Sequence, residues 1–202
     1  TTTVSQRIAT GLDSFALLAI PFFILSGQIM SKGGIANRLI SFAKTLVGFL
    51  PGGLALINIV SAMLMGAIAG SAMASASAMG TILGPEMEKE GYSKEFGAAV
   101  NITSSTTGLV IPPSNTLIVY SLASGGVSIA ALFLAGYIPG ILTGLLMMIV
   151  AMIWSKKNNY PVGKRSSLKE IFVKFIDAFP SLLLLVIVIG GIIGGIFTAT
   201  EA

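Results

Sequence analysis

Four stretches of this chain carry no ionisable side chain: Ser14–Ser31, Thr45–Pro85, Phe96–Ser155 and Ala178–Thr200. Each is close to, or longer than, the roughly 20 apolar residues that cross a hydrocarbon core about 30 Å thick. Backbone polar groups find no water there, so apolar runs of this length select helices, and the chain reads as an all-α, polytopic membrane protein. Composition agrees: 54% of the 202 residues are hydrophobic and 10% charged, against about 25% charged in soluble domains. With no Cys and no His, disulfides, thiolate nucleophiles, the commonest metal ligand and the usual intramembrane proton relay are excluded within this sequence. The net charge of +4 reports orientation in a membrane rather than a nucleic-acid partner. Thr1 opens without a signal-like basic segment and Ala202 follows an apolar run, so the sequence reads as a piece of a longer protein.

The first segment is one span, with a kink expected at Pro21. Ile35, Leu39, Phe42, Leu46 and Phe49 then recur at helical spacing opposite Asn37, Arg38, Ser41 and Lys44, which predicts an amphipathic helix lying along the interface with its basic face among headgroups. After Pro51-Gly52-Gly53 about thirty uncharged residues remain before Pro85, too few for two spans and too many for one. A re-entrant helical hairpin fits, its tip being the small and hydroxyl residues from Gly66 to Ser77. A packing face between helices is the alternative reading of those residues. Glu86 to Glu95 read as a hydrophilic loop around Gly91.

Beyond it, Gly108 and Pro112-Pro113 interrupt an apolar run, which predicts a broken helix, because two prolines inside a continuous helix forfeit two backbone donors. A span with Pro139 inside it follows, stopped by Lys156-Lys157. A short amphipathic helix (Leu168, Ile171, Phe172, Phe175, Ile176) and a separate span from Ala178 complete the chain. Under this layout every basic residue except Arg7 falls on one side, the cytoplasmic side by the positive-inside tendency.

Hairpin and interrupted helix together are the arrangement expected where polar backbone is exposed at membrane depth around a solute. The first half-helix ends near Asn101, Ser104, Ser105, Thr107 and Gly108, offering carbonyls and hydroxyls to a bare cation, with Gly70 and Ser71 of the hairpin closing the site. The second begins after Pro113, so its free N–H donors are expected around Ser114, Asn115 and Thr116, where the helix dipole favours an anion; Ser75 is the hairpin's contribution there. Neutral oxygens without a buried carboxylate point to Na⁺ rather than to a proton carrier. The alternative is that Asn101, Ser104 and Thr107 merely cap and cross-link helices. Glu201 is placed at the interface.

Leu18-Ala-Ile-Pro-Phe-Phe-Ile-Leu-Ser-Gly27, Gly66-Ala-Ile-Ala-Gly-Ser71, Asn101-Ile-Thr-Ser-Ser-Thr-Thr-Gly-Leu-Val-Ile-Pro-Pro-Ser-Asn115, Ala135-Gly-Tyr-Ile-Pro-Gly140 and Gly195-Ile-Phe-Thr-Ala-Thr-Glu201 resemble the large membrane subunit of tripartite ATP-independent periplasmic (TRAP) transporters. The resemblance implies an elevator-type ion-transporter fold. It also implies uptake of an organic-acid anion (a dicarboxylate, sialic acid or other sugar acid) with Na⁺ as coupling ion and no other cofactor. Its implied partners are a periplasmic substrate-binding protein and a small membrane subunit, in a bacterial inner membrane. Residues 1–50 would be a scaffold span and arm helix, 51–155 half of a transport domain, and 156–202 a cytoplasmic loop, short helix and scaffold span. A second repeat, completing the site, is absent from this sequence. A passive channel is the competing class, separable by accumulation against a gradient; a membrane hydrolase lacks a base to activate its serines.

Overall fold

A computed structural model describes residues 3–6, 15–199 and 201. Arg7, Ser14 and Thr200, which figure in the sequence reading, lie outside the described residues. The described residues between 15 and 199 form two short 3₁₀ turns and eight α-helices. Helix α1 (Ala19–Lys32) follows the 3₁₀ turn Phe15–Leu18. Pro21 sits in the first turn of α1, where its missing N–H costs little, rather than at a mid-span kink. Gly34, with φ 80°, turns the chain into α2 (Ile35–Val47).

Helix α2 has the predicted periodicity but a different use for it. Ala36, Leu39, Ile40 and Ala43 are buried against α3 (Gly53–Ala69) and α8 (Leu168–Ile193). Arg38 pairs with Asp177 at 3.9 Å and Phe42 meets Phe175 with ring centroids 5.7 Å apart. Most of the apolar stripe thus packs on protein, Leu46 stays exposed, and Phe49 lies beyond the end of the helix.

Almost every residue of α3 is buried, because α2, α8 and the helices Ala72–Lys89, Lys94–Ser105 and Ile129–Lys157 all pack on it. Gly70, with φ 59°, reverses the chain into α4 (Ala72–Lys89), whose N-cap Ser71 accepts a hydrogen bond from the Ala74 N–H at 3.4 Å. This is the predicted hairpin. Its second arm runs on past Pro85, which lies on an exposed side. Glu86, Glu88 and Lys89 are therefore helical, and only Glu90 to Ser93 form the connecting loop.

The broken helix is also present: α5 (Lys94–Ser105), a 3₁₀ turn (Thr106–Leu109), an irregular step through the cis Pro112-Pro113 peptide, and α6 (Asn115–Ala123). After Gly125 and Gly126, both left-handed, comes α7 (Ile129–Lys157) with Pro139 inside it. The expected short helix and separate span after Ser166 are one continuous helix, α8. Asp177, the charge that divides the two apolar parts, is paired with Arg38 and does not interrupt it. Helices α7 and α8 are each long and apolar enough to cross a membrane. Outward residues such as Ile138 (77% exposed) and Val150 (65%) present the apolar surface that lipid would cover.

The loops rich in lysine meet at one end. Tyr92 stacks on Tyr160 with centroids 4.3 Å apart, Phe96 stacks on Trp154, and the Ser93 N–H donates to the Tyr160 hydroxyl at 3.3 Å. These contacts fasten the α4–α5 loop to the end of α7. Burial pushes the Tyr92 hydroxyl up to about 12, so it stays neutral in this cluster. Lys44–Glu86 (3.7 Å) and Lys94–Glu88 (3.4 Å) pair at the same end. Near the C-terminus, the Glu201 carboxylate accepts from the Thr198 N–H and hydroxyl, both at 2.8 Å, and these bonds hold its pKa below the ordinary carboxylate range. It caps a turn.

Candidate functional site

The hairpin tip and the helix break touch backbone to backbone. A methyl group at Gly66 would lie 2.5 Å from the Gly108 Cα, and one at Gly108 would lie 2.9 Å from the Gly66 Cα. Only glycine at both positions permits this approach. One turn further on, the Gly70 carbonyl accepts a hydrogen bond from the Asn115 N–H at 3.3 Å. The first donor of α6 is therefore used by the hairpin rather than left for a ligand. The third, the Leu117 N–H, is used as well: Ser114 accepts from it at 3.4 Å while donating to the Leu109 carbonyl at 2.5 Å. Helix α7 supports the break from behind, where Gly136 lies against the Val110 carbonyl and Gly140 against Ile111.

At the tip, the space a side chain would occupy on Gly70 is bounded by the Pro113 carbonyl oxygen at 3.0 Å and by Asn115 Oδ1 at 3.6 Å. Asn115 Oδ1 is buried with no hydrogen-bond partner. Two neutral oxygens thus face a niche kept open by a glycine, the type of donor set a hard monovalent cation takes. Gly70 itself needs its left-handed φ, so a side chain there would be strained as well as obstructive.

The remaining predicted residues divide by what their hydroxyls do. Ser104, fully buried, donates to Asn58 Oδ1 at 3.1 Å. Ser105 donates to the Asn101 carbonyl at 2.7 Å and Thr107 to the Ser104 carbonyl at 2.6 Å. Each keeps lone pairs free; the Ser105 and Thr107 protons are committed within their own segment, while the Ser104 proton crosses to the hairpin arm α3. Asn101 joins α5 to the hairpin through Nδ2, which donates to the Ala76 carbonyl at 2.9 Å, and its Oδ1 is buried without a partner. Ser75 is fully buried and donates to the Ala62 carbonyl at 3.1 Å, tying the hairpin arms together. Its position is inside the hairpin, away from the Gly70–Pro113–Asn115 niche. Ser71 and Asn115 are half-buried and Thr116 is exposed beside them.

Asn58 and Ser61 are functional candidates that the sequence reading passed over. They are the only Asn, Ser or Thr residues between Leu54 and Ala69 and stand three residues apart, a spacing that brings them to one side of α3. Both are buried, Ser61 without a partner. Asn58→Ala should lower the unfolding free energy by about 1–3 kcal/mol, because a buried amide is removed and the Ser104 hydroxyl is left with the longer contact to the Asn101 carbonyl, 3.3 Å away. A double-mutant cycle with Ser104→Ala, read from thermal unfolding in detergent, should give a coupling of about 1 kcal/mol; additive effects would mean that the two side chains do not interact.

Known proteins are similar to this sequence over nearly its whole length. The family described as Tripartite ATP-independent periplasmic transporter, DctM component, matches residues 1–202. YgiK of Salmonella typhimurium, described as uncharacterized, is 59% identical over 199 residues, covering 98% of this chain and 46% of the relative. The C4-dicarboxylate TRAP transporter large permease protein DctM of Vibrio cholerae is 46% identical over 188 residues (93% of this chain, 41% of the relative). The sialic acid TRAP transporter large permease protein SiaM of the same organism is 40% identical over 198 residues (98% and 46%). The chain spans about half the length of the curated relatives it matches. A hairpin whose glycines seat it on the break of an interrupted helix, in a sequence matched from end to end, places this chain in the DctM-component family of the TRAP transporters.

Proposed function

We propose that this chain is part of a permease that takes up an organic-acid anion together with Na⁺, by an elevator-type movement of the hairpin and broken helix against the rest. The observation that carries this reading is the niche at Gly70, where the Pro113 carbonyl and the unpartnered Asn115 Oδ1 converge at the junction of hairpin and break. Neutral oxygens at the end of interrupted helices suit a cation, and the same Asn115 amide presents donors at the start of α6, where the dipole favours a carboxylate. Ser104, Ser105, Thr107 and Gly108 lie behind this corner as its packed support. Relatives named for C4-dicarboxylates and for sialic acid support an organic acid as the substrate class. A periplasmic binding protein that delivers it, a small membrane subunit and a bacterial inner membrane follow from the same family reading, with the lysine-rich end facing the cytoplasm. The chain is read as a transporter and not as an enzyme.

The test is uptake of a labelled organic acid by the complete transporter in proteoliposomes, with its binding protein, under an imposed Na⁺ gradient or a proton gradient. Accumulation above the external concentration, driven by Na⁺ and dependent on the binding protein, is the expected result. Accumulation driven only by protons would remove Na⁺ from the niche, and equilibration without accumulation would make the assembly a channel.

A further inference from the structure

A second built cavity lies at the lysine-rich end, away from the niche. It has a volume of about 310 Å³, is open on one side, and is lined by the end of α2, the start of α3, the 161–166 loop and the start of α8. Lys44, Lys164, Arg165 and Lys174 line it against Glu90 and Glu170, a surplus of two positive charges. Among the described residues, Lys164, Arg165 and Lys174 form no ion pair within 4 Å. Their carrier loop is held in place: Gly163 lies against the Gly48 carbonyl, Val162 bridges to Pro51, and the Arg165 guanidinium sits 5.1 Å over the Phe49 ring. An arginine stacked in this way is pre-oriented and keeps its hydrogen-bond donors free for an anion.

Helix α8, which supplies Glu170 and Lys174, is long and apolar enough to cross a membrane, so the cavity lies where a membrane span begins. Cations around a half-open cavity at the edge of a membrane span are complementary to a phosphate that carries acyl chains. We propose that this cavity binds a phosphate group, that of an anionic phospholipid headgroup. Bound there, it would bridge α2 and α8 to the base of the hairpin, and so bear on the same movement as the transport reading, although the binding itself does not depend on that reading being right.

Native mass spectrometry and thermal unfolding of the complete permease in detergent test this with phosphatidylglycerol, phosphatidylcholine and inorganic phosphate as separate probes. Phosphatidylglycerol should be retained at least tenfold better than phosphatidylcholine and should raise the unfolding temperature. Arg165→Gln and Lys174→Gln should each weaken its retention roughly fivefold, whereas Lys157→Gln, outside the cavity, should not. Equal retention of the two lipids, or retention that the Arg165 and Lys174 variants leave unchanged, would overturn the site. A matching temperature rise with inorganic phosphate alone would overturn the lipid as its occupant. Na⁺-driven uptake, measured on the same preparations, reports separately on the transport reading.

Discussion

Gly66→Val in the complete transporter should abolish uptake while leaving the protein inserted and soluble in detergent. The Gly66 position faces the Gly108 Cα, so the obstruction is backbone against backbone and no rotamer relieves it. Overpacking a well-filled interior costs about 1–3 kcal/mol where side chains can adjust, and here the two segments themselves must separate. The Asn115 N–H to Gly70 bond, already long at 3.3 Å, lies one turn along the same seam and would be lost with the displacement. A shift of about 1 Å in a binding constellation can cost 10²-fold in rate, so uptake should fall at least a hundredfold. Gly84→Ala is the control: a methyl group there meets nothing within 4 Å, and uptake should stay within about twofold. Normal uptake by Gly66→Val would show that the hairpin and the break need not be in contact for transport.

Asn115→Asp should produce the second large effect, and a selective one. The side chain's oxygen borders the Gly70 niche and its backbone N–H is spent on the hairpin, so only the side chain is left to meet a ligand. Replacing the amide with a carboxylate removes two donors and sets a negative charge at the start of α6, where the proposed anion would bind. Like charges brought together in a partly desolvated site cost several kcal/mol. The expected result is a 10–100-fold rise in the KM for the organic acid, with the half-saturating Na⁺ concentration unchanged or lower. An unchanged KM would move the anion away from α6. A raised Na⁺ requirement with an unchanged KM would assign Asn115 to the cation alone.

Much of this architecture is written locally. Gly34, Gly52, Gly70 and Gly91 have positive φ at turns, and five helices begin at a serine N-cap: Ser71, Ser93, Ser114, Ser128 and Ser167. The break around Pro112-Pro113 is legible because two missing N–H groups cannot be hidden in a continuous helix. Less legible are features that depend on a partner. Asp177 reads as a boundary until Arg38, distant in sequence, pairs with it and the helix runs through. The stripe of α2 looks suited to lipid, and periodicity alone cannot tell a lipid-facing apolar surface from one facing another helix.

The candidate site divides the same way. Small residues from Gly66 to Ser77 and the polar run from Asn101 to Asn115 mark the two segments, but not how they meet. Ser75 and Ser71 look equivalent in sequence; one is spent on Ala62 inside the hairpin and the other caps α4 at its tip. Asn58 stands in an apolar run and gains significance only through its bond with Ser104, forty-six residues away. By itself the sequence determined the turns, the N-caps and the break, since these follow from φ preferences and missing donors within a few residues, whereas the end of α4 and the continuity of α8 do not. Which oxygens and donors remain free, and which pairs of glycines let two backbones meet, was decided only by the tertiary structure, because a hydrogen bond between distant segments exists only once packing has brought both partners to the same place.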